Sequence, residues 1–316
     1  MRIDWFAPLA VLLVLGGALA TRHVDSNFLF YAGYVVLQFV VLATAWNILG
    51  GFTGYVNFGS AAFFAVGAYT TIALNKWLGL PLLAILPVAA LVAGLIGLAA
   101  GYLTLRLRGV FFSIATLALA VVLETMVANW DYVGGASGSY VIPPAEVPFF
   151  DNYIEGLFSL MLALAVAAVA IARYIARSKI GRGFAAIRDD EVAAECMGVP
   201  TLRLKLIATT LSGALMGIAG APYPFYVTYV EPTSAFNLTY AVNAIAMPMV
   251  GGTTTWFGPV IGAVLLGSLQ QWATVTISSE LNLLIVGVTL VGFVVLAPQG
   301  LVGLARQALA RVRRRP

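Results

Sequence analysis

Residues 46–69 read WNILGGFTGYVNFGSAAFFAVGAY, two uncharged apolar runs joined by a stretch with four glycines within ten residues. Glycine lets the backbone leave the helix, but irregular backbone at membrane depth survives only where protein or water satisfies its polar groups. Discontinuous helices of this kind are also where transporters bind solutes. The stretch therefore predicts two membrane spans, joined either by a segment that lines a solute path or by a tight turn packed with small residues.

The composition of the whole chain requires lipid as the surrounding solvent. Of its 316 residues, 61% are hydrophobic and only 9% are charged, whereas soluble domains average about 25% charged residues. A soluble fold of this size could not bury so much apolar surface. The net charge of +4 does not indicate nucleic-acid binding, because the basic residues follow membrane topology. A single cysteine and a single histidine argue against a metal site.

Ten apolar segments are predicted to cross or enter the membrane, since a hydrocarbon core of about 30 Å takes about 20 helical residues. They cover residues 6–21, 28–50, 60–75, 80–104, 109–128, 153–175, 204–227, 239–250, 258–275 and 281–297. The eighth is short and could be a broken or re-entrant helix. We therefore expect an all-α integral membrane protein, a single domain over residues 1–316 with about ten transmembrane helices, some of them broken or re-entrant.

The distribution of lysine and arginine predicts the orientation. If both termini are cytoplasmic, only Arg22 and Lys76 of the 17 basic residues lie outside. The loop over residues 129–152 is then extracytoplasmic, and the charged loop over residues 176–203 is cytoplasmic. The first span also resembles a signal peptide, although an uncleaved span is commoner in polytopic proteins.

The charged loop over residues 176–203 is predicted to contain an amphipathic helix over residues 181–198. The apolar face of this helix would consist of Phe184, Ile187, Val192, Ala194 and Met197. Four acids within residues 189–195 argue against a helix lying on lipid, because lipid-surface helices are strongly basic. The helix is therefore expected to dock on a soluble partner. Arg188 and Glu191 would be surface charges, whose replacement barely changes stability.

Residues 251–259 read GGTTTWFGP and resemble the first glycine-rich stretch in composition. They could be a diverged internal repeat of it. Both stretches precede spans that run from inside to outside, however, so a simple inverted repeat does not explain them. They are a second candidate for irregular backbone along a solute path.

The chain carries no recognisable catalytic motif. None of its three lysines follows a glycine, so the phosphate-binding loop GxxxxGK[ST] is absent and the chain should not hydrolyse ATP by itself. Neither HExxH nor CxxC occurs, and we expect no enzyme and no cofactor. Glu124 is the only acid well inside a predicted span, and such carboxylates mark functional sites unless they reach water. An ion-coupled secondary transporter is therefore one function that these residues leave open.

These motifs resemble those of the permease subunits of branched-chain amino acid ABC transporters, the LivM-like family. The resemblance covers about residues 47–303. It is carried by the stretches 46–69, 106–118, 181–198, 205–223, 251–259 and 298–301. Ser60 departs from the family pattern because it stands where histidine is common. Val121 stands where glutamate is frequent, and Val133 replaces the threonine of a Thr-Gly-Gly motif.

The resemblance implies the partners and the functional residues. The partners would be a homologous permease subunit, two cytoplasmic ATP-binding subunits and an extracytoplasmic solute-binding protein, in a bacterial inner membrane with lipid around them and no nucleic acid. The translocation path would include Asn47, Thr53, Gly54, Asn57, Gly59, Ser60, Thr116, Glu124, Gly251, Gly252 and Thr253. Coupling to the ATPases would involve Arg182, Arg188, Asp189, Asp190, Glu191, Ala193, Ala194 and Gly198.

Overall fold

The structure is a computed structural model that describes residues 6–21, 27–104, 107, 109–144, 150, 152–276, 284, 287–288, 291–292 and 300–305. Helices dominate these ranges. The α-helices are α1 (Phe6–Ala20), α2 (Asn27–Thr53), α3 (Ser60–Leu78), α4 (Leu82–Thr104), α5 (Val110–Ala128), α6 (Tyr153–Arg177), α7 (Lys179–Asp189), α8 (Glu191–Cys196), α9 (Thr201–Gly220), α10 (Tyr223–Val227), α11 (Pro232–Ala235), α12 (Leu238–Gly251) and α13 (Gly258–Thr276). Two short strands, β1 (Ser139–Tyr140) and β2 (Tyr229–Val230), pair antiparallel.

The all-α membrane class predicted from composition agrees with this architecture. Helices coincide with nine of the ten predicted apolar segments. Five are long and apolar enough to cross a bilayer, namely Phe28–Thr53, Leu82–Thr104, Val110–Ala128, Tyr153–Arg177 and Thr201–Val227. The tenth predicted segment, residues 281–297, lies largely outside the described residues. The total of ten transmembrane helices therefore stays a prediction.

Two of the predicted segments are interrupted or short. The seventh breaks between α9 and α10, where Pro222 cannot donate a backbone hydrogen bond. The hydroxyl of Thr71 donates to the carbonyl of Ala221 at 2.8 Å, so a polar group freed by the break is satisfied inside the protein. The eighth segment forms α12, whose 14 residues span about 21 Å at about 1.5 Å per residue. That length falls short of a hydrocarbon core, as the short apolar run predicts.

Small residues allow α9 to pack closely between α3 and α4. Gly217 of α9 lies against Ala89 and Ala93 of α4, and a Cβ atom at Gly67 of α3 would overlap the carbonyl oxygen of Gly217. Such close backbone approach is the main source of helix association in lipid, where burial of apolar side chains gives little advantage over contact with acyl chains. As a result, the span formed by α9 and α10 is the most buried of the five and α5 is the least buried.

The two long loops lie at opposite ends of the helices. At one end, Ser139 of β1 pairs with Val230 of β2, and Lys76 donates to the carbonyl of Tyr132 at 2.8 Å. Helix α9 begins beside α8 and leads towards β2, and its 20 residues cover about 30 Å. The described part of the loop over residues 129–152 and the loop over residues 176–203 are thus separated by about the thickness of a bilayer. Which end faces the cytoplasm stays a prediction from the basic residues.

Candidate functional site

Residues 54–59, here called the first glycine loop, form the non-helical connection between α2 and α3. Gly54 adopts a φ of +81°, a conformation that favours glycine. Asn57 organises the loop, because its side-chain oxygen accepts from the amide of Gly59 at 2.7 Å. The carbonyl of Asn57 accepts from the indole of Trp46 at 2.9 Å and from the hydroxyl of Ser60. The loop is therefore ordered irregular backbone whose polar groups are satisfied internally.

The first glycine loop is attached to the beginning of α5. The amide of Phe58 donates to the hydroxyl of Thr116 at 3.1 Å, and the hydroxyl of Ser113 donates to the carbonyl of Val56 at 2.8 Å. A Cβ atom at Gly59 would lie 2.9 Å from the carbonyl oxygen of Thr116. A larger residue at position 59 would therefore push the loop away from α5.

Residues 252–257, the second glycine loop, contact the helix that leads into the first. Gly252 adopts a φ of +121°. The side-chain amide of Asn47 in α2 donates to the carbonyl of Thr255 at 3.4 Å, and a Cβ atom at Gly51 would lie 2.6 Å from the carbonyl oxygen of Thr253. The two glycine-rich stretches, about 200 residues apart in sequence, therefore meet around the last turns of α2.

Cation–π and edge-to-face aromatic contacts attach the second glycine loop to α1 and α6. The guanidinium of Arg173, at the end of α6, lies 4.2 Å from the ring centre of Phe6 and 5.4 Å from that of Trp256. The two rings meet edge to face at 5.6 Å. A buried cation over aromatic faces contributes about 2 kcal/mol. From the sequence, Arg173 is one of the basic residues that predict the orientation, and its aromatic contacts are not predicted.

Residues 176–203, here called the coupling segment after the role that the resemblance implies for it, contain two helices, so the prediction of a single helix over residues 181–198 is wrong. Helix α7 ends at Asp189, and Asp190 is extended, with a φ of −161°. The side chain of Asp190 then caps α8 by accepting from the amide of Ala193 at 3.0 Å. Aspartate is a preferred N-cap residue, and this signal within the acidic run could have located the break.

The break also divides the predicted apolar face. Phe184, Ile187 and Ala194 are buried. Val192 and Met197, however, are 53% and 85% exposed, so the prediction that the five residues line one helix face is wrong. Other exposed residues of the predicted coupling set are Arg182, Arg188, Asp189, Asp190, Ala193 and Gly198.

Glu191 is not the surface charge that the sequence predicted. Its carboxylate lies 2.7 Å from the ammonium of Lys205, and the two side chains are only 13% and 5% exposed. The hydroxyl of Tyr55 donates to the other carboxylate oxygen of Glu191. Arg188 does lie at the surface, where it pairs with Asp189, and its Cγ would be 3.3 Å from a Cβ atom at Gly54. The coupling segment therefore packs directly on the first glycine loop.

Most of the predicted path residues lie inside the subunit. Those at most 4% exposed are Asn47, Thr53, Asn57, Ser60 and Thr116. Each has a polar group that bonds to backbone; the hydroxyl of Thr53, for example, donates to the carbonyl of Leu49 at 2.6 Å. The side-chain oxygen of Asn47, by contrast, is buried without a hydrogen-bond partner among the described residues. Gly59, Gly251 and Gly252 are also buried, whereas Gly54 is exposed and Glu124 and Thr253 are half-buried. These contacts show that the buried residues of the predicted path hold the two glycine loops in shape. That they line a solute path stays a prediction.

Comparison with known proteins identifies the family. The chain is 28% identical over 300 residues to the high-affinity branched-chain amino acid transport system permease protein LivM of Escherichia coli, covering 87% of this chain and 70% of the relative. It is 24% identical to a probable branched-chain amino acid transport permease protein LivH of Methanocaldococcus jannaschii, covering 86% and 91%. The ribose import permease protein RbsC of Haemophilus influenzae is 28% identical, with 61% of each chain covered.

No solved structure matches the chain. The sequence profile of the branched-chain amino acid transport system permease component matches residues 28–294, which include both glycine loops, the coupling segment and α5. The resemblance inferred from the sequence motifs is confirmed, and the chain belongs to this permease family of membrane transporters.

Proposed function

We propose that this chain is the membrane-spanning subunit of an ATP-driven importer for amino acids or related small organic solutes. Its relatives include permeases named for branched-chain amino acids and for ribose. Similarity to LivM extends over 87% of the chain, against 61% for the ribose permease. The wider coverage favours an amino acid as the solute.

The exposed surface of α7 and α8 is the proposed docking site for one cytoplasmic ATP-binding subunit. A second ATP-binding subunit would dock on the homologous permease subunit. This surface is the observation that carries the proposal. Val192 and Met197 project from it, and the charged pair Arg188 and Asp189 lies beside them. Exposed apolar side chains among charges of both signs are typical of a specific protein interface.

The proposed path lies along the face of α5 that carries Glu124, at the boundary with the second permease. Helix α5 is the least buried of the five long apolar helices. Thr125 and Asn129 are exposed on it, and Glu124 is half-buried. Polar groups on an otherwise apolar helix are costly against lipid, so a partner chain or a water-filled path is the better environment for this face.

The end with the β1–β2 pair is the proposed docking side for an extracytoplasmic solute-binding protein. Tyr140 and Ile142 are strongly exposed there, and residues 129–152 contain no lysine or arginine. In this orientation both termini are cytoplasmic. ATP-driven closure of the ATPases would move α7 and α8, shift the helices that flank the first glycine loop, and change the opening of the path from one side to the other.

The test is uptake by the purified complex. The subunit, isolated in mild detergent with its P-loop ATPases and reconstituted with the solute-binding protein, should accumulate branched-chain amino acids in liposomes only when ATP is supplied on the ATPase side. A complex lacking ATP serves as the control. Uptake driven by a proton or sodium gradient without ATP would refute the proposal in favour of secondary transport.

A further inference from the structure

A buried cluster of three polar side chains joins three segments that are distant in sequence. Tyr55 lies in the first glycine loop, Glu191 begins α8, and Lys205 lies in the second turn of α9. The ammonium of Lys205 donates to Glu191 at 2.7 Å and to the hydroxyl of Tyr55 at 3.2 Å, and the hydroxyl in turn donates to Glu191. Each of the three groups therefore contacts the other two.

The three side chains of the cluster are largely shielded from water, and this strengthens the hydrogen bonds between them. Tyr55 is 7% exposed and Lys205 is 4% exposed. Hydrogen bonds to charged groups are about twice as strong as neutral ones, and a low local dielectric strengthens them further. The ammonium also lies 4.9 Å from the centre of the tyrosine ring, which adds a cation–π contact. These bonds are therefore suited to resist a displacement of α8.

Helix α8 carries a second side-chain bond to α9, and this bond does not involve the first glycine loop. The helix is six residues long, and its buried side chain is Ala194. Glu195 accepts from the hydroxyl of Thr201, at the beginning of α9, at 2.6 Å. Glu191 bonds to both Lys205 of α9 and Tyr55 of the first glycine loop, so it joins α8 to both elements.

From Tyr55 the contacts continue into the path-forming part of the subunit. Its ring meets Phe112 of α5 edge to face, with centres 5.1 Å apart. The loop that follows Tyr55 is bonded to α5 through the amide of Phe58 and the hydroxyl of Thr116. A displacement of α8 that carries Tyr55 with it would therefore reach the first turns of α5.

We propose that the Tyr55 hydroxyl, held jointly by Glu191 and Lys205, is the positioning group that transmits movement of the coupling segment to the first glycine loop and α5. This rests on the proposed function of α7 and α8 as the ATPase docking surface. Without that hydroxyl, the ATPases would still dock on α7 and α8, but their closure would no longer reach the loop.

The experiment compares hydrogen exchange of backbone amides in the assembled complex before and after trapping with ATP and vanadate. The amides of Phe58 and Gly59 report on the loop, because their hydrogen bonds to Thr116 and Asn57 protect them. In the unmodified complex, trapping should change exchange both in α7–α8 and in the loop. Tyr55→Phe removes only the hydroxyl; it should retain the change in α7–α8 and lose the change in the loop.

Two further variants keep the result interpretable. Lys205→Met should reproduce the loss if it folds, because the hydroxyl then loses its bond to the ammonium of Lys205. Thr201→Val is the matched control, because it breaks the bond between Thr201 and Glu195 without removing any atom of the Tyr55 cluster. It should retain the change in the loop.

Each remaining outcome overturns the proposal. If trapping leaves hydrogen exchange in the loop of the unmodified complex unchanged, the cluster has no transmission role. The same conclusion follows if Tyr55→Phe retains the change in exchange in the loop. Loss of both changes in Tyr55→Phe would assign the hydroxyl to docking instead, and loss in Thr201→Val would assign the effect to general loosening of α8. Failure of the unmodified chain to bind ATPases at all would instead refute the proposed function, and co-purification detects that separately.

Discussion

Replacing Glu191 should destabilise the subunit far more than replacing Arg188, although both are charged residues of the same segment. Glu191 and Lys205 are 2.7 Å apart and their side chains are 13% and 5% exposed. Removing one partner of such a pair leaves the other charge buried, at a cost of about 3–5 kcal/mol. Arg188 and Asp189 are 3.1 Å apart but 32% and 71% exposed, and pairs of this kind contribute about 0–1 kcal/mol.

The difference between Glu191→Ala and Arg188→Ala is therefore about 2–5 kcal/mol in the free energy of unfolding. At about 2 °C per kcal/mol for a chain of this size, the two melting temperatures should differ by about 4–10 °C. The assay is stepwise heating of the detergent-purified subunit, with the folded fraction measured by size-exclusion chromatography. Equal melting temperatures for the two variants would refute the assignment of Glu191 to a buried ion pair.

A charge swap provides the control for this prediction. Glu191→Lys combined with Lys205→Glu restores opposite charges at the two positions, so the double variant should melt above Glu191→Lys alone. The two positions are in direct contact, where coupling energies of about 0.5–3 kcal/mol are usual. Additive effects of the two single replacements would contradict a direct interaction.

Three further predictions concern orientation, energy source and packing. On intact cells, a membrane-impermeant maleimide should label Ser137→Cys, made in a Cys196→Ala background, but not the native Cys196; the reverse pattern would overturn the orientation. The purified chain without partner subunits should release no phosphate from ATP, because it lacks a phosphate-binding loop, and hydrolysis by such a preparation would contradict the permease role. Gly67→Ala should destabilise the subunit by about 1–3 kcal/mol, because the new Cβ atom would overlap the carbonyl oxygen of Gly217. Gly16→Ala is the control, because its Cβ atom would meet no atom within 4 Å. Equal melting temperatures for the two variants would refute the close packing of α3 on α9.

Apolar runs and chain breakers predicted the positions of most helices. A span needs a continuous apolar run in lipid, so nine segments and the shortness of α12 could be read from the sequence. The same reasoning could not tell which side of a helix faces protein. Leu86 is buried and Leu95 is 55% exposed within α4, yet both are leucines, because lipid and protein interior are equally apolar.

The candidate site was predicted in its parts but not in its arrangement. The two glycine stretches and the charged segment were each identified from local composition. Their contacts, from Asn47 to Thr255 and from Tyr55 to Glu191, join residues more than 100 positions apart, and no local pattern encodes such pairing. Glu191 looked like a surface charge because charged residues are rarely buried. Its burial is tolerable because Lys205 pairs with it and Tyr55 donates to it.

The most direct test of the account is the accessibility of Cys196, the chain's single cysteine. It is exposed at the end of α8, next to Met197 on the surface proposed to receive the ATP-binding subunit. The rate of maleimide modification at Cys196 should fall at least about ten-fold when the subunit is assembled with its ATPases, whereas Ser137→Cys at the opposite end, in a Cys196→Ala background, should react at the same rate in both states. Unchanged reactivity of Cys196 in the assembled complex would contradict docking at α7 and α8.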